Sequence, residues 1–281
     1  MYGVVTRNEP ETEWSAFDRA FYEVKDVTGR GAEPVESAVN MVSCFGDTAA
    51  VEADPDLAAV DANGTPATRE QQYFDWSYVC PTREAYRDGV LATIEDCAET
   101  APDVRLDDVG FPRAGYCRCA TCRDQFAASE REDWADWRAD VISEFVADAA
   151  DLIPGRTALT LYPDPYPGHL VERSGIDVER IEPLVDEFVV PLYDTAYGTT
   201  YWLEALATGF ADRIDDADLA IELYAVDVDV DALIHATEVA TATADAVYFG
   251  YDASNAQAAI RRMTAETRDG VTHGTDAGSS E

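Results

Sequence analysis

Apolar residues fall in short runs that are hydrophobic on both faces, separated by stretches in which apolar positions recur at helical spacing. The runs are AVNMVSCFG (38–46), VRLDDVGF (104–111), TALTLYP (157–163), EFVVPLY (187–193), LAIELYA (219–225) and AVYFGYD (246–252). Strands of a parallel sheet covered on both faces have this composition. Helical patterns occupy 83–99, 124–152, 177–185, 199–213, 228–243 and 254–266, several of them opened by a capping residue such as Thr82 or Ser254. Regular strand–helix alternation over most of a chain predicts a (β/α)8 barrel of the TIM type. The other arrangement with this alternation is an open doubly wound sheet, but no glycine-rich phosphate loop follows any strand.

The front of the chain is less regular. YGVV (2–5) supplies a first strand and WSAFDRAFYEVKDV (14–27) reads as its helix, which makes seven strands. The eighth is expected from the segment 47–79 or is missing, so the barrel is expected to be irregular or incomplete at its N-terminus. That segment, with ANGTP as a turn, reads as a long excursion, and long loops in compact domains are usually functional. One barrel domain is expected over 1–267, with a cysteine-bearing loop region over 76–126. The small polar stretch 268–281 is expected to be a disordered tail.

Charge narrows the partners. The 281-residue chain has 56 acids against 20 cations and a formal net charge of −36, and Lys25 is the sole lysine. Such a surface repels phosphate backbones and anionic lipid, which argues against nucleic acid and membrane as main partners. Acidity with lysine almost absent is expected of a protein adapted to a high-salt cytosol, where charges are screened within a few Å. The charge leaves a homo-oligomer open. The N-terminus has no basic stretch followed by an apolar core, and no apolar run approaches the roughly 20 residues of a spanning helix. A cytoplasmic location is the expectation.

Six cysteines without a secretion signal are better read as metal ligands and buried thiols than as disulfides. Cys117, Cys119 and Cys122 put three thiols within six residues, a spacing that suits tetrahedral zinc. Cys80, in YVCPTREAYR, is the best candidate for a fourth ligand, since it stands just before a predicted helix. Four thiolates make a closed site, so a structural Zn2+ is expected rather than a Lewis acid; an iron–sulfur cluster has compatible spacing. Cys44 and Cys97 lack a partner motif and read as buried apolar thiols.

YVCPTREAYR (78–87) followed by YCRCATC (116–122) resembles the zinc-binding cysteines of the family 42 β-galactosidases. VRLDDVGFP through CRDQF is also similar to hypothetical glycosidase-like barrels that carry an LD pair, an FP pair and a Cys-x-Cys-x-x-Cys cluster. The resemblance covers roughly residues 54–126 well and continues loosely to about residue 252. It implies a glycosidase barrel in which the loop after the fourth strand is pinned by zinc. One departure matters. The β-galactosidases carry an Asn-Glu pair after that strand, the Glu being the acid/base, whereas this chain has Asp107-Asp108. Their nucleophile, a Glu after the seventh strand, has its counterpart in Glu222. The tRNA-guanine transglycosylases also carry Cys-x-Cys-x-x-Cys zinc, but their fourth ligand is a nearby downstream His, and here the first is the distant His169.

Barrel enzymes place catalytic groups at the C-terminal ends of their strands. Carboxylates recur there: Asp107, Asp108, Asp164, Asp194, Glu222 and Asp252. Glycoside hydrolysis needs two, one protonated and one ionised. In a chain this acidic, a loop carboxylate is often only a cap or solvated surface. Asp107 differs because it interrupts an apolar strand, where a buried charge costs several kcal/mol unless partnered. Arg105, on the same face, is its expected partner, while Asp108 should point to the other side and brace the loop. Asp107 with Asp194 or Glu222 is therefore the candidate catalytic pair. Aromatic side chains cluster at the same ends and suit stacking on sugar rings. The candidate substrate-binding set is Trp76, Arg105, Asp108, Tyr162, Asp164, Tyr193, Tyr197, Tyr224 and Tyr251. The reading is a glycosidase acting on a sugar or oligosaccharide. A non-catalytic carbohydrate-binding barrel and a zinc-stabilised protein-interaction subunit are the alternatives.

Overall fold

The computed structural model describes the backbone of residues 1–274 and the side chains of residues 1–265. Eight strands, β1 (Tyr2–Thr6), β2 (Arg19–Lys25), β3 (Val39–Ser43), β4 (Val104–Asp107), β5 (Thr157–Thr160), β6 (Glu187–Pro191), β7 (Asp218–Tyr224) and β8 (Ala246–Gly250), pair in parallel and in chain order into a closed barrel. Helices α1 (Thr48–Ala53), α2 (Glu84–Thr100), α3 (Ala120–Ala128), α4 (Trp134–Leu152), α5 (His169–Ser174), α6 (Val178–Ile181), α7 (Tyr201–Ala211), α8 (Val230–Thr241) and α9 (Ala253–Gly274) occupy the connections. This is the (β/α)8 architecture that the alternation predicted, and the barrel is complete. Residues 275–281, the end of the tail expected over 268–281, lie outside the described residues.

The eighth strand is not in 47–79. It is β2, inside the segment read as the first helix. Trp14, Phe17, Phe21 and Val24 mimic helical spacing, but β2 alternates as a strand: Tyr22 and Val24 join the outer core, while Phe21 faces the barrel interior. Its register is fixed on both sides, Gly3 opposite Arg19 on β1 and Phe21 opposite Val39 on β3. A short 3-10 turn, Glu9–Glu13, lies between β1 and β2, ahead of the segment 14–27 in which the helix was expected. The predicted helix over 124–152 is likewise two, α3 and α4. Asp133 divides them by accepting from the amides of Ala135 and Asp136, which starts α4 afresh.

Strand alternation sorts the core. Outward residues such as Val104, Leu106, Phe188, Ile221 and Phe249 pack under the helices, and inward residues such as Val5, Met41, Ala158, Val189, Ala220 and Tyr248 fill the barrel. Tyr248 needs Gly3 opposite: a Cβ there would lie 2.7 Å from its ring. Near the N-terminal end of the barrel, Glu187 accepts from Tyr248 Oη at 2.6 Å and pairs with Arg19 at 3.2 Å. Buried charge is thus partnered across the barrel rather than along a strand. No helix among the described residues is long and apolar enough to cross a membrane.

Candidate active site

The segment between β3 and α2 is an excursion that folds over the C-terminal mouth of the barrel. Asp47 caps α1 through the Ala50 amide, and bridges join Gly46 to Tyr78 and Ala58 to Val79. Beneath it lies a cavity of about 530 Å3. The excursion contributes Tyr73, Phe74, Asp75, Trp76 and Tyr78 to the wall. Arg105, Asp107 and Asp108 come from β4 and its loop, Tyr162 and Arg173 from beyond β5, and Tyr193 and Tyr251 from beyond β6 and β8.

Asp107 and Asp108 both line the cavity. Plain alternation would send Asp108 to the other side of the sheet, but it sits in the left-handed region, φ 49°, and its carboxyl is turned back to the cavity. Its own amide donates to Asp107 Oδ1 at 3.0 Å, and Ser43 Oγ hydrogen-bonds its Oδ2 at 2.6 Å. Burial, and then the adjacent charge of Asp107, push the Asp108 carboxyl up to about 8. The approach is tight: a Cβ on Gly46 would lie 3.0 Å from Trp76 Nε1, 3.0 Å from Ser43 Oγ and 3.1 Å from the Asp108 carboxyl carbon. Trp76 Nε1 is buried and has no partner among the described residues, which leaves a donor at the cavity wall.

Arg105 does not pair with Asp107. Its guanidinium is buried and reaches Glu222 on β7 at 2.5 Å, while its Nε donates to Thr160 on β5 at 2.9 Å. Both side chains point into the barrel, so the partner lies across the interior rather than along the strand. Tyr193 Oη donates to the other Glu222 oxygen. Glu222 has no exposure and is enclosed by Arg105, Tyr193 and Gly250, below the cavity rather than on its wall.

Other expected residues divide in the same way. Trp76, Tyr162, Tyr193 and Tyr251 line the cavity. Tyr197 does not: its buried hydroxyl donates to the Leu192 carbonyl at 3.1 Å and accepts from the Tyr224 amide at 2.7 Å, tying the loops after β6 and β7. Tyr224 packs on Tyr193 at 5.5 Å from behind. Asp164 and Asp194 lie off the cavity wall and close local turns, onto the amides of Tyr166 and Ala196. Asp252 caps α9 at the Asn255 amide.

The sequence reading missed Glu23 and Arg7. Glu23 lines the cavity from β2, 4% exposed, with burial pushing its carboxyl up and the hydrogen bond from Arg7 holding it down. The alternation of AFYEVK was the available signal, hidden by the helical assignment of that segment.

Cys80, Cys117, Cys119 and Cys122 are buried and mutually within 4.8 Å at sulfur, a group that could hold a metal ion. The amides of Val60, Cys119 and Cys122 point at sulfurs of the group, at 3.4, 3.5 and 3.4 Å, as donors to thiolates would. Cys44 and Cys97 lie apart in the core, and burial pushes both thiols up, Cys97 to about 12. The cluster ties the β3–α2 excursion to the loop after β4, a link reinforced where the Arg118 amide donates to Val60 at 2.7 Å.

The sequence matches no protein-family model and no curated protein. The fold superposes on the solved structure of a β-galactosidase from the psychrophilic Marinomonas ef1 with a TM-score of 0.64 and 9% identity, over 95% of this chain and 60% of that one. A class V chitinase from Pseudomonas fluorescens Pf-5 gives 0.46 at 13% identity, over 80% of this chain and 68% of that one. The likeness to the β-galactosidase shows the fold, and the chain spans about 60% of that chain.

Proposed function

We propose that the chain is a glycoside hydrolase whose reacting pair is Asp108 and Asp107. The observation that carries this reading is the pairing of an acid pushed up to about 8 with an adjacent carboxylate, both on the wall of one aromatic cavity. A carboxyl pushed up beside a second acid in one cavity is the mark of a general acid. Asp108, protonated at neutral pH, donates its proton to the glycosidic oxygen as the bond to the anomeric carbon breaks. The Asp107 carboxylate stabilises the positive charge that develops on the sugar and assists attack at that carbon. Water supplies a hydroxyl to the sugar and its other proton passes to Asp107, the leaving group departs with the proton from Asp108, and exchange with solvent restores both carboxyls. Tyr162, Tyr193, Tyr251 and Trp76 offer ring faces and polar edges to the sugar, and the unpartnered Trp76 Nε1 offers a donor to a hydroxyl.

Arg105 and Glu222 support this pair from below. The β-galactosidase resemblance would make Glu222 the nucleophile, but its enclosure by Arg105 and Tyr193 favours a positioning role. The four cysteines fit zinc by donor type and number, and a closed four-thiolate zinc would fix the two loops that shape the cavity without entering the chemistry. The same enclosure of Glu222 favours one second reading, a carbohydrate-binding barrel without turnover.

The test is a panel of nitrophenyl glycosides with wild type, Asp107→Asn and Asp108→Asn, read for nitrophenol release and, by calorimetry, for binding. Turnover lost in both variants with binding retained supports hydrolysis. Turnover unchanged in both removes this pair. Binding without turnover in the wild type identifies the binding barrel, and absence of both favours a protein-interaction role.

A further inference from the structure

Of the four arginines on the cavity wall, Arg7 pairs with Glu23 and Arg105 with Glu222. Arg113 and Arg173 form no ion pair and no side-chain hydrogen bond among the described residues, in a chain where acids outnumber cations 56 to 20. Each guanidinium instead lies over an aromatic ring, Arg113 at 4.8 Å from the Tyr73 centroid and Arg173 at 3.5 Å from that of Tyr162. Ring faces hold a guanidinium in place while leaving its N–H donors free. Asp164 acts on Arg173 only from beyond ion-pair distance and hydrogen-bonds His169 at 3.0 Å.

The two arginines are also presented together. Arg138, 1% exposed on α4, donates through one nitrogen to the Arg113 carbonyl at 3.2 Å and the Arg173 carbonyl at 2.7 Å. A buried cation is thus spent on holding the loop after β4 against α5. Burial pushes Arg173 down, and the charge of Arg113 adds to that, so the two cations are held close against their repulsion. An oxyanion between them would relieve the repulsion and use the free donors bidentately.

We propose that the substrate carries an oxyanion, a carboxylate or sulfate on the sugar, bound between Arg113 and Arg173. This rests on the glycosidase reading of the cavity and specifies its substrate class: an acidic glycan rather than a neutral one. The surface of the chain repels such a ligand at long range, so recognition falls to this local reversal of charge.

The experiment uses nitrophenyl glycosides in gluco, galacto and manno forms, each as the neutral sugar, the 6-carboxylate and the 6-sulfate. Calorimetric affinities and nitrophenol release are measured for the full chain and for an Arg113→Gln/Arg173→Gln double variant, both partly exposed positions. The charged form should bind about tenfold tighter than its neutral counterpart. That ratio should fall to near one in the double variant, and the tighter of the two anions identifies the substituent. Equal affinities, or a preference that survives in the double variant, overturn the inference. Charged preference in binding without turnover upholds it and removes hydrolysis. Equal turnover and equal binding of neutral and charged forms do the reverse, and absence of all binding overturns both.

Discussion

Asp107 Oδ1 accepts the Asp108 amide at 3.0 Å, and the left-handed turn at Asp108 brings the second carboxyl into the same cavity as the first. Two successive residues thereby face one cavity, which regular strand geometry forbids. In the proposed reaction their roles separate because Asp108 is the one pushed up, by burial and by Asp107.

Activity should therefore fall as pH rises through about 8, where Asp108 gives up its proton. Replacing either residue by Asn should cost about 10²- to 10⁴-fold in kcat/KM. Asp107→Asn should also lower the Asp108 titration, read from the carboxyl infrared band. An unmoved band would show that Asp107 is not what raises its neighbour.

Stability carries the same signature. In the folded chain Asp108 keeps its proton to about pH 8, whereas unfolded it releases it near 3.8. Its contribution to folding is present at acid pH, is lost as pH rises across that window, and is flat above it. Asp108→Asn has no proton to lose, so its stability relative to wild type should climb across the window. Urea midpoints measured below, within and above it provide the check.

The buried Arg105–Glu222 pair should respond asymmetrically to mutation. Glu222→Leu leaves a guanidinium uncompensated in the barrel and should cost about 3–5 kcal/mol. Adding Arg105→Met should recover much of that loss, since an apolar pair of similar volume replaces two desolvated charges. Equal additive losses in a denaturant double-mutant cycle would mean the two charges are not coupled.

Metal analysis should find one zinc per chain, and removal by a strong chelator should lower Tm. Cys80→Ser and Cys122→Ser should lose the metal, whereas Cys97→Ala should keep it, because Cys97 lies outside the cluster. Zinc well below stoichiometric together with four freely titrating thiols would refute the site.

Pattern alone determined most of the scaffold. Strands β3 to β8 are apolar on both faces because both faces are covered, one by the barrel interior and one by helices, and that is written in consecutive residues. The cysteine cluster was equally legible, since three ligands lie within six positions and metal chemistry restricts their spacing. What only the tertiary structure decided concerns residues whose partners are distant in sequence. Strand β2 carries Arg19 and Glu23 at inward positions because it borders polar networks inside the barrel, and this charge disguised it as an amphipathic helix. Arg105 has Asp107 two residues away on its own strand, yet pairs with Glu222, because closing the barrel brings inward side chains of distant strands together. Asp108 faces the cavity through a backbone turn that alternation cannot anticipate. A sequence records which faces are buried; which charges meet across the interior depends on register and closure, and those exist only in the closed barrel.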